Sequence, residues 1–155
     1  MSAAALFLEM VLIRWVAAEV RIFAYMHNLL LIACFFGIGL GCFRAAHPPQ
    51  WTRALWSLAM LAFLVTDPLQ LDTAEMATQG MAVAHDTVVW FAVGGRGCLT
   101  SGLLMLTALL VTFLLIVLVV FSLEPFGQVL GASLAAHPRP LAAYSANLVG
   151  SLAGT

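Results

Sequence analysis

Apolar residues run along this chain in long blocks, and the few polar positions that interrupt them decide where helices can begin and end. The clearest block is Ser101 to Ser122, SGLLMLTALLVTFLLIVLVVFS, which holds no charged residue. As a helix rising about 1.5 Å per residue it covers roughly 33 Å, enough to cross the hydrocarbon core of a bilayer. Three further blocks have the same character. Ser2 to about Ala18 is apolar except for Glu9 and Arg14. About Asn28 to Phe43 is uncharged, and the uncharged stretch reaches back to Ile22. About Trp51 to Thr66 carries only Arg53, which can extend its head to the headgroups, while Trp51 and Trp56 suit an interfacial belt. Leu141 to Thr155 is apolar and rich in small residues, too short to span with its Asn147 and Ser151, and reads as the start of a further helix. A chain that ends inside such a segment is expected to be a fragment.

The predicted fold class is therefore all-α: a polytopic integral membrane protein with four transmembrane helices (about 2–18, 28–43, 51–66 and 101–122) plus the start of a fifth (141–155), in a single membrane domain covering 1–155. The largest polar interval is 67–100, with Asp67, Asp72, Glu75 and Asp86 against Arg96. It is expected outside the hydrocarbon, with Pro68 ending the third helix, a Gly-Gly-Arg-Gly turn at Gly94 to Gly97, and Met76 to Phe91 as an interfacial or re-entrant piece. Arg44 and Arg53 bracket the short loop after the second span, which places that loop and the amino terminus on the cytoplasmic side. Glu124 to Pro140 then reads as a loop on that same side, and the expected location is a bacterial inner membrane.

Composition supports this reading. The chain of 155 residues is 63% hydrophobic and 8% charged, with no lysine. A soluble domain of that length has no interior able to hide so much apolar surface, so lipid is an expected partner, together with further helices or partner membrane subunits. A net charge of -1 gives no footprint for nucleic acid. Cys34, Cys42 and Cys98 form no C-x-x-C pair, so no disulfide or zinc framework is expected. Ser2 to Leu8 has no basic segment before it, which favours a retained first helix over a signal peptide.

Three stretches together resemble the amino-terminal membrane region of spermidine-synthase-like integral membrane proteins. They are LFLEMVLIRWVAAEVRIFAYMHNLLLIACFFGIGLG from Leu6 to Gly41, EPFGQVLG from Glu124 to Gly131, read as a turn, and PLAAYSANLVGSLAG from Pro140 to Gly154. The interval from Asp67 to Thr100 is unmatched. The resemblance implies a membrane domain that anchors an aminopropyltransferase-type enzyme or handles its substrate, with the catalytic domain downstream of Thr155. No strand-turn-helix context for nucleotide binding occurs, and Gly37, Gly39 and Gly41 lie within an apolar helix, so the chain alone is not expected to be an enzyme. The other classes left open are a small accessory subunit of a larger membrane complex and half of a transporter-like bundle.

One polar cluster is associated with a span: Glu9, Arg14, Glu19, Arg21, Tyr25, His27 and Asn28. Ionisable groups inside a span usually face a protein interior, a partner charge or a water-filled cavity, which makes this the candidate site. Glu9 and Arg14 are splayed by roughly 140° on a regular helix, so Glu9 is expected to pair elsewhere. It either supplies a carboxylate to a cation or proton pathway or accepts hydrogen bonds from Tyr144, Ser145 or Asn147. Gly37 and Gly41, and likewise Gly150 and Gly154, have the spacing of close helix packing. His27, His47, His85 and His137 lie at helix entrances or in loops, so neither metal nor cofactor is expected. The acidic interval matches no calcium loop.

Overall fold

A computed structural model describes residues 2–20, 23, 27–66, 98–136, 138 and 140–154. Every element among them is helical: α1 (Ser2–Glu19), α2 (His27–Phe43), α3 (Trp51–Thr66), α4 (Cys98–Ala136) and α5 (Pro140–Leu152). The expected interfacial piece at Met76 to Phe91, and with it the acidic residues of 67–97, His85 and Arg96, lies outside the described residues. One segment, Met105–Ala136, is long and apolar enough to cross a membrane; Asn28–Phe43 and Trp51–Thr66 are apolar but shorter.

The helix limits follow from local chemistry. Pro48 and Pro49 bar helix between α2 and α3, because proline lacks an amide hydrogen and restricts the residue before it. The chain turns there, with His47 N–H donating to the Arg44 carbonyl at 3.0 Å. The next helix then starts on Gln50, whose carbonyl accepts from the amides of Arg53 and Ala54 at 3.1 and 3.4 Å. Pro140 opens α5 at its first position, where a missing N–H costs nothing.

The sequence reading fails at α4. The segment EPFGQVLG is not a turn, and a loop from Glu124 does not form: the helix runs on through Pro125 to Ala136, 39 residues in all, or about 58 Å. Proline removes the one bond that would reach the Phe121 carbonyl. That single loss is small beside the uninterrupted ladder on either side, and Glu124, Gly127 and Gln128 are all held in contact with α2.

Close backbone approach organises the bundle. A β-carbon built on Gly37 would stand 2.7 Å from the Val120 carbonyl oxygen, one on Gly41 would collide with the Glu124 carbonyl oxygen, and one on Gly127 would collide with that of Ile38. Gly131 lies against Cys42. Residue numbers rise together along both helices, so α2 and α4 run parallel along a glycine seam. Between α3 and α4 they run oppositely, since Ser57 meets Ser122 and Trp51 meets Phe126. The core between these elements is apolar, with Leu12, Val16, Phe23, Leu30, Leu61 and Leu123 almost fully enclosed. In α1 the enclosed positions are Ala5, Glu9, Leu12 and Val16, one stripe at helical spacing. Gly150 and Gly154 sit against Ser2 and Ala3, which ties the end of α5 to the start of α1.

Candidate functional site

Three helices bring charge to one point. Arg44 directly follows the end of α2, Arg53 lies in the first turn of α3, and Glu124 sits where α4 leaves its long uncharged run. Arg44 Nη1 donates to Glu124 Oε1 at 2.8 Å, and Arg53 Nη1 stands 3.6 Å from Oε2. The Glu124 side chain is only 4% exposed, whereas those of Arg44 and Arg53 are 45% and 46% exposed. The carboxylate is thus the buried centre, and the arginines close it off from the surface. A buried acid without counter-charge is costly, and the two guanidiniums supply that counter-charge to Glu124.

Aromatic groups frame the cluster. The Arg53 guanidinium carbon lies 5.5 Å from the centre of the Phe121 ring, within cation–π range. Phe121 is one turn before Glu124 on the same face of α4, so a single arginine reaches both. Trp51 meets Phe126 edge to face, with ring centres 5.2 Å apart and planes at 86°, an arrangement favoured by the ring quadrupoles. One turn beyond Glu124, Gln128 is buried; its Oε1 and Glu124 Oε2 make no hydrogen bond. Two further polar side chains, Ser57 and Ser122, meet in the core with oxygens 3.0 Å apart. Each also lies within bonding distance of its own helix, Ser57 of the Ala54 carbonyl at 2.9 Å and Ser122 of the Leu118 carbonyl at 2.7 Å. Two hydroxyl protons serve three short contacts, so the pair forms a directional chain that ends on one carbonyl or the other.

Four side chains of the cluster expected from the sequence lie among the described residues, and they differ in burial. Glu9 is enclosed, at 2% exposure, in the packed stripe of α1, while Arg14, Glu19 and Asn28 are exposed. Arg21 and Tyr25 lie outside the described residues, as does the His27 side chain. The suggested partners of Glu9 do not reach it: Tyr144 is exposed, Ser145 donates to the Ala142 carbonyl at 3.0 Å, and both Glu9 Oε2 and Asn147 Oδ1 lack a hydrogen bond. Among the described residues no group of three His, Cys, Asp or Glu is placed to hold a metal ion.

Sequence reading missed Glu124, because it treated the residue as part of a loop. The available signal was charge placement: one acid directly after an uncharged span, on the side where two arginines flank a loop. No protein family, curated protein or solved structure matches this chain.

Proposed function

We propose that this chain is a polytopic membrane domain, crossing the bilayer four times and beginning a fifth helix, of the spermidine-synthase-like type. In this reading it anchors an enzyme, or handles its substrate in the bilayer, and carries no complete catalytic site of its own. The observation that carries the membrane part is the surface of α4. Its apolar window within Met105–Ala136 is only 39% buried, whereas the core helix of a soluble protein is mostly enclosed. Phe35 and Phe36 on α2, Trp56 and Phe63 on α3, and Leu110 and Phe113 on α4 are exposed as well. In water such an apolar surface is an aggregation hazard, and in lipid it is an ordinary exterior. Helices α2 and α3 are shorter than about 20 residues, a mismatch that bilayer thinning and extended arginines accommodate. The arginines at the α2–α3 connection favour a cytoplasmic face for that end, and with it a cytoplasmic amino terminus.

An accessory-subunit role is the second reading. The observation in its favour is the exposed apolar side of α5, with Leu141, Tyr144, Leu148 and Val149, which a partner helix would cover.

Alkaline carbonate extraction of membranes from expressing cells tests the membrane reading. The chain is expected in the pellet, and recovery in the soluble fraction defeats it. Reporter fusions within 45–50 and within 67–97 should give opposite sidedness if the four-span topology holds. A photo-crosslinker at Val149 separates the two roles: a heterologous adduct favours the accessory subunit, and lipid adducts alone favour the anchoring domain.

A further inference from the structure

The geometry points to Arg44 and Arg53 as a binding site for the phosphate of an anionic phospholipid, in the leaflet that the α2–α3 connection faces. The inference rests on the membrane reading above. Two guanidiniums share one carboxylate, so the cluster keeps one net positive charge. Among the described residues the other acids, Glu9 and Glu19, both belong to α1, and no second acid on α2, α3 or α4 offsets that charge.

Donors are left over as well as charge. A guanidinium carries five N–H groups. Glu124 takes a hydrogen bond from Arg44 and stands 3.6 Å from Arg53, while both arginine side chains remain nearly half exposed. Phosphate is an anion that guanidinium forks match well, because its oxygens accept parallel N–H bonds. Glu124 presets the two heads in one place, which lowers the ordering cost of capturing a headgroup.

The neighbouring surface selects a lipid over a free ion. Phe43, the residue before Arg44, is 88% exposed, and Trp56, one turn after Arg53 on the same side of α3, is exposed too. A phosphate at the arginines therefore has apolar side chains next to it on which acyl chains can lie. Trp51, fixed edge-on by Phe126, supplies the amphipathic ring typical of headgroup depth. A soluble phosphate ion uses the charge and leaves that apolar rim in contact with nothing of its own.

The test uses the full chain reconstituted in nanodiscs of phosphatidylcholine with a minor fraction of phosphatidylglycerol, followed by native mass spectrometry of retained lipid. Wild type should retain phosphatidylglycerol over phosphatidylcholine by roughly fivefold beyond the input ratio, the effect of about one net charge at the surface. Glu124→Gln, which frees both arginines, should raise the preference, and Arg53→Gln should lower it. The triple variant R44Q/R53Q/E124Q should abolish it. Parity in the wild type, or a preference that Glu124→Gln and Arg53→Gln leave unmoved, overturns the proposal. Those two single variants shift the charge in opposite directions, so the test survives a triple variant that does not fold. Inorganic phosphate is added in a second arm. If it displaces phosphatidylglycerol, the arginines serve a soluble anion and the lipid assignment is wrong; retention supports it. Failure of the membrane reading shows itself earlier, as a chain that carbonate extracts.

Discussion

Arg44 and Glu124, separated by eighty positions in the chain, meet at 2.8 Å and join the end of α2 to the middle of α4. The partner that loses exposure is the acid, which makes the contact asymmetric. Removing Arg44 strands a buried carboxylate with Arg53 at 3.6 Å as its remaining counter-charge. Removing Glu124 leaves two arginines that are nearly half exposed and can find other partners at the surface. Arg44→Gln should therefore cost about 2–3 kcal/mol and Glu124→Gln about 1 kcal/mol. Thermal unfolding in detergent measures both, and the double variant R44Q/E124Q should recover part of the Arg44→Gln loss. Equal costs for the two single changes would show that burial of the acid is not the controlling term.

Gly39 and Gly41 lie two residues apart on α2 and should respond oppositely to alanine. Gly39 has open space where a β-carbon would go, so Gly39→Ala adds helix propensity and should be neutral or stabilising by up to about 1 kcal/mol. At Gly41 the new methyl would strike the Glu124 carbonyl oxygen and the backbone at Gly127 and Gln128, none of which is a flexible side-chain end. Gly41→Ala should destabilise by about 2–4 kcal/mol, as overpacking of a seam does. A ranking of unfolding temperatures decides it, and similar values for both variants would contradict the parallel α2–α4 contact.

Ser57 and Ser122 should be coupled. Either alanine substitution breaks their mutual bond, so the second removes less than the first. A double-mutant cycle should give an interaction of about 0.6 kcal/mol, the usual size for hydroxyl pairs between membrane helices. A coupling energy of zero would mean each hydroxyl bonds only its own helix.

Glu9→Leu should leave folding intact or stabilise it. The Glu9 side chain is enclosed with Oε2 lacking a hydrogen bond, and replacing such a group by an apolar one of similar size removes a desolvation penalty. Unfolding temperature should hold or rise. A drop of several degrees would reveal a favourable contact of the carboxylate within the bundle. If the chain moves protons or cations, Glu9→Gln should stop the flux while assembly survives, and unchanged flux removes that role.

Helix placement was legible in this sequence where blocks of apolar residues are bounded by proline or charge, as at Pro48 and Pro49 before α3 and at Pro140 in the first position of α5. The same rule misled at Glu124-Pro125, because a local terminator is overridden when tertiary contacts hold the flanking turns in place. Gly127 and Gly131 reveal that only once α2 is set beside them. Glu9 was visible as a lone carboxylate in an apolar run, but its enclosure depends on which face of α1 packs. The Arg44, Arg53 and Glu124 cluster was the least legible feature. It arises from three helices, and nothing local to any of those residues records the other two.

The glycine seam also orders events during biogenesis. Gly37 and Gly41 are synthesised early, yet the backbone they must touch extends to Gln128, so the groove on α2 stays open until most of α4 has left the ribosome. If the chain is polytopic as proposed, the first three helices enter the membrane before that groove can be filled. Closure of the α2–α4 seam is a late event, and a translation arrest before Gly127 would leave Arg44 and Arg53 without their shared acid in place.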